Sequence, residues 1–484
     1  MAPQKLHISS PSPALTFSTE TEHMYFKVFH DRAAMELSGY FDTDFWGRTI
    51  LQICHEEDFA RHAVIALGAL SETMEEVQAD NLLFPNSEEI RKKHHQFALR
   101  HYGKALKLMR DIPGQKGRIW TKYALLSCLL TTCFENYLGN HDGAIAAARA
   151  GIELLYQKST GGWCESETDL HGAIRQCSYD DIDLMSTFDR LEAVVILDNQ
   201  RRRITNPRVL SQLQQRRPFK CTMPTQFNTV REARMYCDYH VKRALAWQPV
   251  DSQWASSAEL MNFGVDDPER RRVKCEEFAR RAAAEFEEYS GARAKWHQAF
   301  LPVFEATREY PGSKDFLGAS MLMIQYVSSI PMCVPPEEMS ELIFDQYTPH
   351  YRLLVELSRE LLEMYPRTKS RKAVFSFDDG FVASLFQTAI RSRDRDIRKQ
   401  ALKLLVEHPR REGLWDSAAA AKVACWLVNL EEEEMVDGFV PESSRLRIEK
   451  MDTNMMDRKV AIRCSKWDDD LQGRYDLEDV VLSW

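Results

Sequence analysis

The sequence predicts an all-α protein, in which packed antiparallel helical hairpins form an α-solenoid-like bundle that ends in a small C-terminal β-hairpin. Three observations favour this fold class. Apolar residues recur at three- and four-residue intervals along most of the chain, which is the spacing of helices with one buried face. Glycine and proline are few, at 20 and 19 of 484 residues, which favours helices. Alternation of apolar and charged residues, the pattern of a strand, appears near the C-terminus.

The clearest helical hairpin lies in Ile119–Gln157. The first helix collects apolar residues on one face, namely Ile119, Tyr123, Leu126, Leu130, Cys133 and Tyr137. Gly139 can adopt the left-handed conformation that ends a helix, and Asp142 can cap the next helix through its carboxylate. Because the connecting turn is short, the two helices are expected to run antiparallel and to share an apolar seam.

The same periodicity predicts the other helices, with polar or proline-bearing loops between them. In order, these helices cover residues 44–53, 59–74, 89–110, 181–202, 231–247, 268–289, 313–330, 337–365, 379–391, 394–407 and 417–433. They belong to one helical domain over residues 22–465. Residues 1–21 are rich in Pro, Ser and Thr and have too little apolar content to fold, so we expect a disordered tail there.

The C-terminal end shows a different pattern. Ser444–Glu449 and Lys459–Cys464 alternate apolar and charged residues, which predicts two strands of one β-hairpin. The residues that follow are strongly acidic, and we expect 466–484 to form an acidic C-terminal tail.

Composition narrows the class of protein. The formal net charge is −9, whereas a domain that binds nucleic acid by itself usually shows a basic balance. The eleven cysteines have irregular spacing without a C-x-x-C pair, so we expect reduced thiols and neither a metal nor another cofactor. The N-terminal residues lack the apolar run of a signal peptide, and no apolar stretch is long enough to cross a membrane. We therefore expect a protein of the nucleus or cytoplasm that does not bind membranes.

Five stretches of the chain carry a family resemblance, in order, over residues 24–465. They are Tyr40–Leu70, His94–Arg110, Leu125–Leu155, Arg410–Glu434 and Phe439–Cys464. They resemble the fungal-specific transcription factor domain, which is the helical regulatory region of binuclear zinc-cluster transcription factors. The resemblance implies an all-α fold and a role in transcription regulation.

Members of that family usually carry a six-cysteine DNA-binding cluster before this domain. The sequence departs from the pattern, because its first cysteine, Cys54, already lies inside the matched region. We therefore expect no direct binding of nucleic acid by this chain. Dimerisation with a full-length relative would supply the contacts with DNA. More generally, we expect a protein partner, a homodimer or a heterodimer.

Aromatic residues are the candidate ligand site. Phe45, Trp46, Trp120, Tyr123, Phe134 and Tyr137 are interpreted as the lining of an interhelical pocket for a small apolar metabolite. The same helical spacing is typical of an ordinary hydrophobic core, which is the simpler interpretation. No nucleophile elbow, Walker loop or H-E-x-x-H motif occurs, so the sequence names no catalytic residue.

Three polar clusters have simpler explanations than a site. His94 and His101 share a helix face but lie two turns apart, about 10 Å, so these histidines are expected at the surface or at caps. Asp180, Asp181 and Asp183 could bind Mg²⁺, although aspartates that open a helix are stabilised by its dipole. The arginines and lysine of 201–220 suggest a phosphate-binding or nuclear-import patch, or a solvated loop.

Two functions follow as hypotheses. The first is a metabolite-responsive regulator or co-regulator of a fungal secondary-metabolism pathway, which acts through a ligand-dependent change in helix packing. The second is a repurposed biosynthetic enzyme, similar to a cyclase or pericyclase, or a small-molecule-binding protein that uses an interhelical apolar pocket. An exposed Trp or Tyr with one or two acids in a deep pocket would favour the enzyme, and a broad apolar surface patch would favour the regulator.

Overall fold

The computed structural model describes residues 16–41, 44–76, 87–110, 118–159, 183–188, 190–192, 194–195, 223–238, 240, 268–332, 340–364, 374–376, 380–413, 415–455, 457–468, 470 and 473–484. These residues are mostly helical, with small β-sheets near the C-terminus, as the sequence predicts. The predictions for Asp180, Asp181 and the basic stretch 201–220 lie outside the described residues.

Among the described residues, seven α-helices with complete bounds and two π-helical turns build the N-terminal part. The helices are α1 Glu20–Val28, α2 Ala34–Ser38, α3 Ile50–Glu56, α4 Asp58–Glu76, α5 Ser87–Met109, α6 Arg118–Leu138 and α7 His141–Ser159, and the π-helical turns are Phe29–Ala33 and Phe45–Thr49. Helix α4 packs along α5 and against α1 and α6, and α6 pairs with α7. Their buried faces share one hydrophobic core, which we call the N-terminal core.

The predicted hairpin forms between α6 and α7. Gly139 has a φ of +85° and ends α6, which confirms its assignment as the residue that terminates the helix. The prediction for the next cap is wrong, because Asn140 and not Asp142 caps α7: the Gly143 amide donates to Asn140 Oδ1 at 3.2 Å. Since α7 begins at His141, Asp142 lies inside its first turn, where the helix dipole stabilises its carboxylate.

The C-terminal part contains six further α-helices with complete bounds. They are α8 Pro268–Thr307, α9 Lys314–Met332, α10 Thr348–Met364, α11 Phe381–Arg391, α12 Arg395–Glu407 and α13 Ser417–Glu433, with 3₁₀ turns at Glu341–Tyr347 and Glu442–Ser444. Pro268 stands at the first position of α8, where its missing N–H costs nothing. Most of these helices, with Phe227 and Tyr236 from 223–238, surround a second hydrophobic core, which we call the C-terminal core. Across the described helices, none combines the length and apolar character that a membrane span requires.

Two small sheets complete the fold. In the first, β1 Val374–Ser376 pairs parallel with β2 Arg410–Glu412, which pairs antiparallel with β3 Trp415–Asp416. In the second, β4 Arg447–Asn454 and β5 Lys459–Asp468 form the predicted antiparallel hairpin, with Ile448 opposite Cys464. The first strand begins later than predicted, at Arg447, because Ser444 belongs to the preceding 3₁₀ turn.

Residues 466–484 do not form the expected acidic tail. Strands β6 Gly473–Asp476 and β7 Val480–Ser483 both pair antiparallel with β5. Leu482 and Trp484 pack against the C-terminal core. The prediction relied on the acidic composition of this segment and therefore missed a strand with one apolar face. Arg463 neutralises part of the acidic charge through a two-point ion pair with Asp479 at 2.7 and 2.9 Å.

Order also begins before residue 22 at the other end of the chain. Residues 1–15 of the expected tail lie outside the described residues. Thr19 caps α1 by accepting a hydrogen bond from the Glu22 amide at 3.2 Å, and Phe17 packs on Phe26 with ring centroids 5.2 Å apart. The folded region therefore includes Phe17, which the low apolar content of this segment did not indicate.

Each core also includes residues from the other part of the chain, since Phe375 of β1 belongs to the N-terminal core and Tyr40 belongs to the C-terminal core. Tyr137 of α6 packs on Phe375 of β1 at 3.8 Å between ring centroids. Tyr40 meets Phe381 of α11 edge to face at 5.7 Å. The Arg234 guanidinium lies 3.8 Å from the centre of the Phe41 ring.

Candidate functional site

The six aromatic candidates all lie in or against the N-terminal core. Five of them are buried, with Phe45 and Trp46 at 0% and 1% exposed, and Trp120 is partly buried against the same core. Their rings contact other side chains at short range. Phe45 meets Trp46 edge to face at 5.5 Å, and Phe134 stacks on Tyr102 at 3.9 Å. The structure therefore brings these residues into one region, where they contribute to core packing.

A large open groove in the described part of the chain lies elsewhere, beside α10. Its volume is about 560 Å³, and it is lined by Arg308, Leu353, Glu356, Leu357, Arg359, Glu360, Glu363 and Met364. Arg308 makes a two-point ion pair with Glu360 at 2.7 and 2.8 Å, so charged groups that already pair with each other dominate the groove. None of the six aromatic candidates lines it.

Tyr123 carries acids beside it, and we call this group the Tyr123 cluster: Glu56, Glu57, Phe59, Trp120 and Tyr123. The Tyr123 hydroxyl donates to Glu56 Oε2 at 3.5 Å. The Trp120 and Phe59 rings each meet the Tyr123 ring at 5.8 Å. The cluster lies where α3 ends, α4 begins and α6 starts, so three helix termini position it.

Burial alters the acidity of this cluster. It raises the pKa of Tyr123 to about 12, with the charges of Glu57 and Glu56 adding to the effect. Burial also raises the pKa of the Glu57 carboxyl, although the Tyr123 hydroxyl partly opposes this. A carboxyl group with a raised pKa beside a neutral phenol can donate a proton to a bound molecule, which is the chemistry of a general acid.

A second polar group lies in the same half of the molecule, and we call it the His–His–Glu cluster: Glu22 of α1, His62 of α4 and His101 of α5. His62 Nδ1 lies 3.1 Å from His101 Nδ1, and His101 Nε2 lies 3.5 Å from Glu22 Oε1. One ligand atom from each residue can be chosen so that all lie within 4.8 Å of one another. Glu22 and His101 are 5% and 2% exposed, and His62 is half-buried.

Neighbouring groups set the charge of the His–His–Glu cluster. Burial, together with the charge of the nearby Lys104 ammonium, lowers the pKa of His101 to about 4. Burial likewise lowers the pKa of His62. Both imidazoles are therefore neutral at pH 7, which is the state that binds metal ions. Glu22 accepts a hydrogen bond from the Ser18 amide at 2.8 Å and lies 3.8 Å from Lys104 Nζ.

The prediction that the histidines of α5 lie at the surface or at caps is wrong for His101. His101 shares the buried face of α5 with Ala98, Tyr102, Ala105 and Met109. That three- and four-residue spacing was the signal in the sequence that could have placed it. Glu22 and His62 were missed because each is about 40 residues from its neighbour in the cluster, and only tertiary packing joins them. His94 is half-buried and bonds to the Tyr25 hydroxyl at 2.5 Å.

Three buried cysteines of the described residues are poor candidates for a nucleophile. Cys54, Cys133 and Cys237 are buried free thiols, and burial raises the pKa of each. A buried thiol with a raised pKa stays protonated and is therefore a poor nucleophile.

Compared with known protein families, with curated proteins and with solved structures, the chain matches none.

Proposed function

We propose that the chain is a transcription-regulator-like protein that responds to a small apolar metabolite or to a protein partner through changes in helix packing. One observation carries this proposal. Three stretches that resemble the regulatory domain follow one another along the chain, and their helices share the N-terminal core: Tyr40–Leu70, His94–Arg110 and Leu125–Leu155. Helix α4 packs on both α5 and α6, so the resembling stretches form one continuous unit.

The proposed mechanism uses close contacts between these helices. The hairpins α4–α5 and α6–α7 would stack in the manner of a short solenoid. At Gly68 the α4 backbone meets the Tyr25 carbonyl of α1, and at Gly151 the α7 backbone meets the Phe188 ring. Because closely packed helices move as units between distinct arrangements, a ligand that enters between them would shift the packing in a discrete step.

The proposed partners are a small apolar metabolite of fungal secondary metabolism and a second protein chain, identical or related. Large apolar side chains on the exposed side of α5 support a protein partner, because Leu99 and Leu106 are each 41% exposed and lie two turns apart. In this proposal the protein acts in the nucleus or shuttles to it from the cytoplasm.

A biosynthetic enzyme is the second candidate function. The Tyr123 cluster favours it, because Tyr123 lies beside Glu56 and Glu57, and the pKa of Glu57 is raised by burial. Such a group could protonate or orient a substrate held against Trp120 in a cyclisation or rearrangement. This candidate predicts turnover by the pure protein without any nucleic acid.

A reporter assay combined with mass spectrometry separates the two functions. In the reporter assay, the chain would be fused to an unrelated DNA-binding domain that binds upstream of a reporter gene. In the second assay, the purified chain would be incubated with apolar metabolites. The regulator proposal predicts a metabolite-dependent change in reporter output, with the metabolite retained by the protein at unchanged mass. Conversion of a metabolite by the pure protein, without a reporter response, would contradict it.

Two tyrosine variants make the test residue-specific. Tyr123→Phe and Tyr102→Phe each remove one hydroxyl that donates to a glutamate, at 3.5 Å to Glu56 and 2.6 Å to Glu135. Turnover that disappears in Tyr123→Phe and persists in Tyr102→Phe assigns the reaction to the Tyr123 cluster. Equal behaviour of the two variants in the reporter assay agrees with the regulator.

A further inference from the structure

We propose that the His–His–Glu cluster is a binding site for a divalent first-row transition metal ion, with His62 and His101 as ligands. The inference does not depend on the proposed function. It rests on three side chains from three helices whose ligand atoms lie together in a largely buried position.

The distance between the two imidazoles suits a shared metal ion. Zn²⁺ binds histidine nitrogens at about 2.0–2.1 Å, which puts two nitrogens about 2.9 Å apart at a right angle and about 3.4 Å apart in a tetrahedral site. The observed separation of His62 Nδ1 and His101 Nδ1 is 3.1 Å, between these two values. An ion could therefore enter between them with side-chain movements of a few tenths of an ångström.

The tautomers also agree. If both rings carry their proton on Nε2, both Nδ1 atoms have a lone pair available for one ion, and these atoms lie 3.1 Å apart. The protonated His101 Nε2 then lies 3.5 Å from Glu22 Oε1, where the negative charge of the carboxylate raises the basicity of the ring. Stacking on Phe97, with ring centroids 4.5 Å apart and 16° between planes, holds the His101 ring in this orientation.

Lys104 decides which class of ion fits. Its ammonium lies 3.8 Å from Glu22 Oε1 and already offsets the carboxylate charge, which disfavours ions such as Mg²⁺ and Ca²⁺ that require several anionic oxygens. Ions with a preference for neutral imidazole, such as Zn²⁺, Ni²⁺ and Cu²⁺, do not need that charge. Because Lys104 is 48% exposed, it can also move away and leave Glu22 to approach the ion.

Binding would join helices that are distant in sequence. His62 belongs to α4, His101 belongs to α5, and Glu22 belongs to α1. An ion held by the two histidines would join α4 to α5, with the Glu22 carboxylate of α1 beside it. Since a ligand that binds only the folded state stabilises it, Zn²⁺ should raise the melting temperature.

The test is calorimetric titration of the full chain with ZnCl₂ after removal of metals by a chelator. We expect one Zn²⁺ per chain and a higher melting temperature in its presence. His101→Gln should weaken binding by more than about 100-fold, because loss of an outer-shell partner alone costs about 10–100-fold. Glu22→Gln should fall within that smaller range, and His62→Gln should resemble His101→Gln.

His95→Gln is the matched control, since His95 lies on the same helix outside the cluster and should leave the affinity unchanged. Circular dichroism of each variant shows whether it is folded. X-ray absorption of the Zn²⁺-loaded wild-type chain provides a measurement without any variant, and it should count two imidazole ligands.

Absence of a one-to-one Zn²⁺ complex would overturn the proposal and leave the pair as a metal-free Nδ1–H···Nδ1 hydrogen bond. Equal affinity in wild type and both histidine variants would also overturn it, because binding would then come from surface histidines.

Discussion

The two cores of this protein differ in the charged groups buried beside them. The N-terminal core is filled by aromatic, leucine and alanine side chains, and the His–His–Glu cluster at its edge holds neutral imidazoles beside one carboxylate. Beside the C-terminal core lies a buried network of arginines and carboxylates. Its members are Glu341, Arg393, Arg398, Glu431 and Arg445, each less than 9% exposed, with Asp345 at its edge.

The contacts of the C-terminal network are directional. Arg393 Nη2 donates to Glu431 Oε1 at 2.9 Å and to Glu341 Oε2 at 3.3 Å, and Arg398 pairs with the second oxygen of Glu431. Arg445 binds both oxygens of Asp345, at 2.7 and 2.8 Å. The network therefore specifies how the 3₁₀ turn, α12, α13 and the start of the C-terminal sheet meet.

This difference suggests where the molecule can change shape. Paired buried charges tolerate few alternative geometries, because separation of one partner leaves an uncompensated charge. Apolar contacts are not directional, so helices that pack through them can shift at lower cost. We therefore expect helix movements in the N-terminal core and a constant arrangement in the C-terminal network.

Glu431→Gln tests this difference with the largest expected loss of stability. The variant keeps the side-chain shape but leaves the buried Arg393 and Arg398 without their shared carboxylate, so we expect a loss of about 3–5 kcal/mol in the free energy of unfolding. Glu432→Gln is the matched control, since its partner Arg395 is 76% exposed and the pair should contribute less than about 1 kcal/mol. Denaturant unfolding measures both, and equal losses would contradict the role of the network.

In the N-terminal core the corresponding test is steric, in Gly68→Ala. An alanine Cβ there would overlap the Tyr25 carbonyl of α1 and lie 3.3 Å from the Phe29 amide nitrogen. We expect a loss of about 1–3 kcal/mol by overpacking, with a larger loss of protection of α1 than of α13. Hydrogen exchange checks the location, and uniform loss across both cores would show that the two are not separable.

Acid should affect the C-terminal network. Burial alone would raise the pKa of Glu341, but the charges of Arg391 and Arg393 more than offset this and hold the pKa below its ordinary value of 4.5. The stabilisation is therefore present above pH 4.5 and is lost as the pH falls towards the lower pKa of the folded state. The free energy of unfolding of Glu341→Gln should depend less on pH in this acid range than that of wild type. An unchanged pH dependence would refute the assignment.

The smallest expected effect has the opposite sign. Gly103 lies in α5, and a methyl group added there would meet no neighbouring atom within 4 Å. Gly103→Ala should therefore stabilise the protein by about 0.5–1 kcal/mol through helix propensity. Thermal melting measures the change. A destabilised Gly103→Ala variant would indicate that this face of α5 is covered in solution, as in a dimer.

Helical periodicity predicted most of the fold because each helix buries one stripe of its own residues. Gly139 was also assigned correctly, because the turn that it makes depends only on local backbone geometry. Asn140, the strands of 473–483 and the ordering of Phe17 were missed. The cap at Asn140 depends on the exact residue at which α7 begins. The strands of 473–483 form because β5 offers them an edge for pairing.

The amino-acid sequence by itself determined the helical class, the central hairpin and the C-terminal β-hairpin, because periodicity and turn residues act over a few neighbouring positions. Only the tertiary structure decided that Glu22, His62 and His101 meet and that Glu431 binds two buried arginines. These contacts join residues about 30 to 80 positions apart, as their numbers show. Long-range packing sets them, and local sequence patterns carry no information about which distant faces come together.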